Sequence, residues 1–372
     1  MRSTYSDILF LGGGVVGLTT ALKMAERGRS VILLDRKSTG QEASWAGAGM
    51  LPPGNLKKAL TPEARLRSYS HSLWTSFSAE LLDRTGIDNE FHVCGAIEIF
   101  PNGTDSERHT QLQAWTQEDI EVHRIAPAEA QNLAPGLNPL LQEIAYLPQF
   151  AQVRNPKHLQ AVRAACLQQR VTIVENAEGI EFEHSGDRVI AVRVGDQRYS
   201  FEQLCITAGA WSTSILQMLG FTVPLKPVRG QMVQLQLPTQ LFPCVIEQGR
   251  RYLVPRLDGL ILIGSTEEDA GFQKQTTPEG VAGLLEFASQ LMPPLANASV
   301  ARSWAGLRPG SPDELPLLGA VPGFSNLFVG AGHFRSGLQM SPATAAILAD
   351  LMLGILPAIS LDGLQADRFQ LS

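Results

Sequence analysis

Gly12, Gly14 and Gly17 lie in the run Ile8-Leu9-Phe10-Leu11-Gly12-Gly13-Gly14-Val15-Val16-Gly17, and Asp35 follows 23 residues after Gly12. That spacing suits a dinucleotide. Gly12 makes a tight turn, Gly14 has no side chain to hold the backbone off a pyrophosphate, and Gly17 lets a helix pack closely on a strand. A carboxylate placed like that of Asp35 hydrogen-bonds the adenosine ribose and repels a ribose phosphate. Two further stretches have the same small-residue character. Gln41 to Pro53 is a loop of small residues and glycines closed by two prolines, which lets backbone approach a flat ligand, and its Trp45, Met50 and Leu51 are poor linker residues. Gly330-Ala331-Gly332-His333-Phe334-Arg335-Ser336-Gly337 is a second glycine loop near the other end of the chain. A second cradle beyond the pyrophosphate site suggests FAD more than NAD, because the flavin ring must also be held.

The elements that position these loops are legible from the pattern. The apolar run before Gly12 reads as a buried parallel strand, and the helix from about Val15 to Arg27 points its unpaired N–H groups and dipole at the phosphates. Gly28 stops that helix, and Ser30 to Asp35 is the next strand. Leu204 to Thr207 runs into Ala208-Gly209-Ala210-Trp211 and a helix closed by Gly220, a second strand-glycine-helix unit. Leu327 to Val329 is the strand before the last glycine loop, and a helix from about Leu338 to Leu353 follows, stopped by Gly354. Between these units Thr61-Pro62-Glu63 caps a helix ended by Gly86, and Asn155-Pro156 opens another to about Gln169. Antiparallel alternation marks Val228 to Leu237, Cys244 to Glu247, Arg251 to Val254 and Leu260 to Ile263. A strand at Ala96 to Phe100, a polar helix from near Asp105 and proline turns at Pro127, Pro135, Pro139 and Pro148 go with them. Thr277 caps one more helix. The expected fold is α/β: a discontinuous Rossmann-like FAD-binding domain from 1–88, 151–222 and 304–372, with a mostly antiparallel α+β substrate domain from 89–150 and 223–303.

Composition narrows the function classes. A chain of 372 residues exceeds one comfortable core, and 44% hydrophobic with 18% charged residues is globular. A net charge of −6 gives no electrostatic footprint for nucleic acid. The scattered Cys94, Cys166, Cys205 and Cys244 read as reduced thiols, the seven histidines have no metal-ligand spacing, and no metal is expected. No apolar stretch reaches the roughly 18 residues of a membrane span, which makes the cytoplasm the default location. There is no Gly-x-Ser-x-Gly elbow and no phosphate loop followed by lysine.

Four stretches, Gly12 to Gly17 with Asp35, Glu42 to Met50, Trp304-Ala305-Gly306-Leu307-Arg308-Pro309-Gly310 and Gly332-His333-Phe334-Arg335-Ser336-Gly337, together resemble the FAD-dependent D-amino-acid oxidase family. Within it the chain looks most like the glycine oxidase branch of thiamine thiazole synthesis. The first motif is common to many flavoproteins, whereas the middle loop and the two arginine motifs are more specific. The resemblance implies that Val15, Val16, Asp35, Arg36, Ala43, Ser44, Ala48, Gly49 and Met50 line FAD, as do His333, Phe334, Arg335, Ser336, Gly337, Leu338 and Gln339 near the flavin ring. Gly179 stands where the family usually has a valine whose backbone touches adenine, and Asp35 replaces a more common glutamate.

The implied chemistry is oxidation of a small amino acid, glycine, sarcosine or D-alanine, at its α-carbon. Hydride goes to flavin and then to dioxygen, yielding an imino acid that hydrolyses to an oxo acid and ammonia, with hydrogen peroxide. Arg308 is the first choice for the carboxylate clamp, since a guanidinium binds both oxygens with parallel hydrogen bonds. Tyr252 matches the family's tyrosine on the same carboxylate, and Arg335 resembles a second arginine there. Each has a plain alternative: a turn residue for Arg308, a core tyrosine for Tyr252, and a partner for flavin or backbone carbonyls for Arg335. His333 suits packing at the flavin edge better than a base, and the acidic run Glu267-Glu268-Asp269 suits a solvated loop better than amine attraction. No cysteine lies in the last glycine loop, so the FAD is expected to be non-covalent. The rival functions are a dehydrogenase passing electrons to a quinone or protein, and a non-catalytic flavin module. The sequence leaves the oligomeric state open, a homo-oligomer included.

Overall fold

A computed structural model describes residues 2–100 and 105–369. Residue 1, residues 101–104 and residues 370–372, which fall in the expected segments 1–88, 89–150 and 304–372, lie outside the described residues. The opening strand Arg2–Leu11 becomes fully buried over Ile8–Leu11. Its continuous apolar run has a simple cause, since both faces are covered. Ile8 and Phe10 pack with the helices Val15–Glu26, Asn155–Gln168 and Ser341–Met352. Leu9 and Leu11 pack on the opposite face with residues of the strands Arg188–Val194 and Gln197–Ile206.

The first sheet runs in the order Ile180–Ser185, Arg188–Val194, Gln197–Ile206, Arg2–Leu11, Val31–Leu34, Thr172–Val174. The pairs around Arg2–Leu11 are parallel, and the end of Gln197–Ile206 also pairs in parallel with Leu327–Ala331. Segments far apart in sequence therefore bring their glycine turns to one edge. The ligand of such a sheet binds outside the carboxyl ends of its strands.

The second sheet runs in the order Ser299–Gly310, Lys226–Gln236, Leu260–Gly264, Arg251–Pro255, Val245–Gln248, Ala96–Phe100, Glu143–Leu147, His123–Arg124. All its pairs are antiparallel except Val245–Gln248 with Ala96–Phe100. A small third sheet joins Met50–Leu51, Ala151–Gln152 and His92–Val93.

Several expectations need correction. The cut between residues 303 and 304 falls inside Ser299–Gly310, which stays paired to Lys226–Gln236 up to Gly310. It is an edge strand, where the missing N–H of Pro309 can be tolerated. Arg308 accordingly sits in a strand rather than a turn. The expected loop from Gln41 to Pro53 contains a helical turn, Ala43–Ala46, and the short strand Met50–Leu51. Pro127 opens a helix, Pro127–Leu133, because proline is preorganised for a first turn, and Glu129 accepts from the Ala126 N–H at 2.8 Å. The last helix begins at Ser341, not Leu338, where Pro342 again suits the first turn. No described helix is long and apolar enough to cross a membrane.

Candidate active site

The two sheets enclose a cavity of about 920 Å³. Its nucleotide end is built by the first glycine turn. Gly12 has φ +110°, and a Cβ there would strike the backbone of Thr207. The Gly13 N–H donates to Asp35 Oδ2 at 2.7 Å and the Lys37 N–H to Asp35 Oδ1 at 2.9 Å, so this carboxylate braces the turn. Burial raises the Asp35 carboxyl above its ordinary range, opposed by those two N–H groups and by Arg36. The helix Val15–Glu26 starts at the cavity. Its N-cap, Gly14, has no side chain, and the Val15 N–H finds Ser44 Oγ at 3.0 Å.

Gly12, Gly14, Val15, Val16, Asp35, Arg36, Ala43, Ser44, Ala48, Gly49, Met50 and Gly179 all line this cavity, as do His333, Phe334, Arg335, Ser336, Gly337, Leu338 and Gln339. Gly17 does not. Its absent Cβ would meet the Gly12 carbonyl and the Thr207 hydroxyl, which makes it a packing glycine. Arg36 lies 3.7 Å from the ring centroid of Trp211, another lining residue. The small-residue loop is held from outside by carbonyl contacts. Asn155 Nδ2 donates to Ser44 O at 2.8 Å, Trp304 Nε1 to Ala46 O at 3.0 Å, and Arg256 to Ala48 O at 2.6 Å. A helix N-terminus, a braced carboxylate and a loop that leaves its small residues on the wall fit a dinucleotide carrying a flat ring.

The opposite wall is one row across the second sheet. Trp304 pairs with Met232, Met232 with Gly264, Gly264 with Tyr252, Tyr252 with Glu247, and Glu247 with Glu98. Residues directly paired across strands share a face. Met232, Tyr252, Glu247 and Glu98 line the cavity, and the Tyr252 hydroxyl lies 3.4 Å from Met232 Sδ. Arg308, opposite Val228, reaches back over Gly230, where any Cβ would overlap its guanidinium. A Cβ on Gly264 would likewise overlap the Tyr252 ring and Met232 Sδ. The wall thus depends on absent side chains as much as on present ones.

Arg308 Nη2 donates to Ser265 Oγ at 2.5 Å and Nη1 to Thr266 O at 3.2 Å. Burial lowers its basicity, with Tyr252 and Glu267 opposing this and Arg335 adding to it. Arg335 is held by its bond to Arg250 O at 2.7 Å and lies 3.6 Å from Glu267. His333 is buried with Nε2 at 2.9 Å from Thr344 Oγ1, and burial pulls its pKa down to about 4, which leaves it neutral near pH 7. The acidic run does not line the cavity: Glu267 pairs with Arg250, Glu268 with Arg229, and Asp269 with Lys226.

The sequence reading missed Glu98, Glu247, Gly230, Gly264, Ser265 and the braces Arg256 and Asn155. Glu98 carried a signal, a lone carboxylate in the strand Ala96–Phe100, which is buried throughout. The glycines carried none, because each matters only through its neighbour on another strand.

The family model described as FAD dependent oxidoreductase (DAO) matches residues 7–351. A glycine oxidase of Pseudomonas aeruginosa is 37% identical over 355 residues, covering 95% of this chain and 96% of that one. A bifunctional ThiO/ThiG protein of Synechocystis is 32% identical, covering 94% of this chain and 52% of its own length. The crystal structure of glycine oxidase from Geobacillus kaustophilus superposes with a TM-score of 0.93 at 28% identity, covering 98% of this chain and 99% of that one.

Proposed function

Because the chain belongs to the DAO family of FAD dependent oxidoreductases, and as an FAD-dependent amino-acid oxidase, we propose that it oxidises glycine and other small amino acids such as sarcosine and D-alanine. With glycine the products are glyoxylate, ammonia and hydrogen peroxide, from glycine, water and dioxygen. Likeness to the ThiO/ThiG proteins, with the glycine oxidase motifs, supports thiazole formation in thiamine synthesis as the pathway served.

The observation that carries this reading is one continuous cavity with the dinucleotide turn at one end and a buried, tethered guanidinium at the other. Bound FAD supplies the two-electron acceptor that no side chain provides. Gly12, Gly14, Val15, Val16 and Asp35 would serve the pyrophosphate and ribose, Arg36 and the residues Ala43, Ser44, Ala48, Gly49, Met50 and Gly179 the rest of the nucleotide and ring, and His333 to Gln339 the ring. Arg308 clamps the substrate carboxylate, Tyr252 adds a hydroxyl to the same group, and Arg335 bounds the pocket. Fixing the carboxylate leaves the α-hydrogen in one orientation, with water excluded by the buried wall.

The test is peroxide formation with glycine, sarcosine and D-alanine under air. Peroxide with these substrates supports the oxidase. Flavin bleaching without oxygen uptake would replace it with a dehydrogenase, and no bleaching with a binding module.

A further inference from the structure

We propose that the buried guanidinium of Arg256, standing behind the loop Ala48 to Met50, is a fixed positive charge that favours the reduced, anionic flavin over the oxidised one. This rests on the reading above that the loop lines the flavin ring. Two electrons and one proton leave a reduced flavin with one negative charge near neutral pH, and a charge held close to the ring shifts the balance between its two states.

Arg256 follows the strand Arg251–Pro255, which carries Tyr252. Its side chain turns to the flavin loop: Nη2 donates to Ala48 O at 2.6 Å, and Nη1 to Gln152 Oε1 at 2.8 Å and Val153 O at 3.1 Å. Those partners are the loop's own supports. Met50 is paired with Gln152, and the Val153 N–H donates to Gly49 O at 2.8 Å. Gly49 lies so close to Val153 that a Cβ there would overlap its carbonyl. Ala48, Gly49 and Met50 are on the cavity wall and Arg256 is not, so one short stretch of backbone separates the charge from the cavity. All three acceptors are neutral. Among the described residues the Arg256 guanidinium bonds no carboxylate. The carboxylates that act on it, Glu90 and Asp258, are bonded to Arg154, whose own charge opposes theirs. Burial draws the Arg256 pKa down to about 10, which leaves it charged at neutral pH. A guanidinium at 4% exposure with neutral acceptors bears a desolvation cost that no bonded carboxylate offsets. A brace alone would be served at less cost by a neutral side chain, whereas a negative charge forming in the cavity offsets it. In surroundings of low dielectric the attraction acts across the loop.

The experiment measures the reduction potential of the FAD-loaded enzyme against a reference dye without oxygen, in two variants that cancel the charge differently. Arg256→Met removes it. Gln152→Glu keeps the guanidinium and gives it a carboxylate of the same shape, which Arg256 holds ionised, and serves if the first variant does not hold FAD. Each is expected to shift the reduction equilibrium about tenfold or more toward oxidised flavin, about 30 mV for a two-electron couple. Arg256→Lys, which keeps the charge but not the forked bonds, is expected to stay nearer wild type than Arg256→Met. A potential in Arg256→Lys as low as in Arg256→Met, or a wild-type potential in Gln152→Glu, is the pattern of a mechanical brace and overturns the proposal. A wild-type potential in Arg256→Met overturns it too, and the visible spectrum of the bound flavin then separates two failures. A shifted spectrum keeps the loop at the ring and refutes the charge alone, whereas an unshifted one removes the loop from the ring as well. Because no amino acid is added, failure of wild type to form peroxide from glycine would count against the oxidase reading alone.

Discussion

The two ends of the cavity are made in different ways. The nucleotide end is written in short contiguous stretches whose backbone does the contacting, with Asp35 bracing the turn through the Gly13 and Lys37 N–H groups. The substrate end is written across six strands, one or two residues from each, and its shape depends on gaps at Gly230 and Gly264. A motif survives as a string when the ligand is held by local backbone. A wall made of cross-strand neighbours has no string to survive in. Substitutions at the first end should therefore cost cofactor, and those at the second should cost turnover with cofactor retained.

The largest separation is expected for Arg308→Ala. Removing one partner of a buried charge pair costs about 2 to 5 kcal/mol, or roughly thirty- to several-thousand-fold in kcat/KM. The flavin content of the purified variant should match wild type. Arg308→Lys should recover part of the loss, because an ammonium cannot make two parallel bonds. Near-normal efficiency with glycine would move the clamp to Arg335.

Gly230→Ala tests whether a gap can matter as much as a side chain. The added methyl overlaps the Arg308 guanidinium, which must shift from its Ser265 and Thr266 partners. A misplacement of about 1 Å costs on the order of a hundredfold in rate. FAD binding should be unchanged, and a variant with wild-type kcat would show that Arg308 has room to move.

How far the sequence could be read follows the same division. The glycine turn, the helix after it, Asp35 and the last glycine loop were legible because spacing along the chain is also spacing around the ligand. Arg308 was legible through its motif, but the strand that carries it was not. Arg308-Pro309 reads as a turn until the partner strand Lys226–Gln236 is known, and edge position alone makes the proline acceptable. Glu247 sat in an expected strand with nothing to say that Glu98, some 150 residues earlier, lies beside it.

Asp35→Ala probes the nucleotide end. Hydrogen bonds to a charged group are worth about 1.5 to 3 kcal/mol, so FAD should dissociate roughly ten- to a hundredfold more readily. The loss includes the brace on the turn as well as the proposed ribose contact. With FAD in excess, kcat should return to near wild type, and a lasting loss of kcat would mean that the brace reaches the substrate end.

The smallest expected effect distinguishes the ends by pH. Asp35 has two backbone N–H groups to hold its charge, whereas burial and Glu98 push the Glu247 carboxyl up to about 8, against only Arg335. Between the ordinary value of 4.5 and about 8 the folded chain keeps a proton that the unfolded chain has released. The unfolded state then binds fewer protons, so this group's contribution to stability falls as pH rises through that window. Glu247→Gln removes the titration while keeping the shape. Its melting temperature should equal that of wild type well below pH 4.5, where Glu247 is neutral in both the folded and the unfolded chain, and exceed it by about 2 °C or more near pH 9. Groups that titrate in both proteins cancel in the comparison. An offset that stays constant across the range would mean that Glu247 is ionised throughout and held by Arg335, leaving the substrate wall no more sensitive to pH than the nucleotide turn.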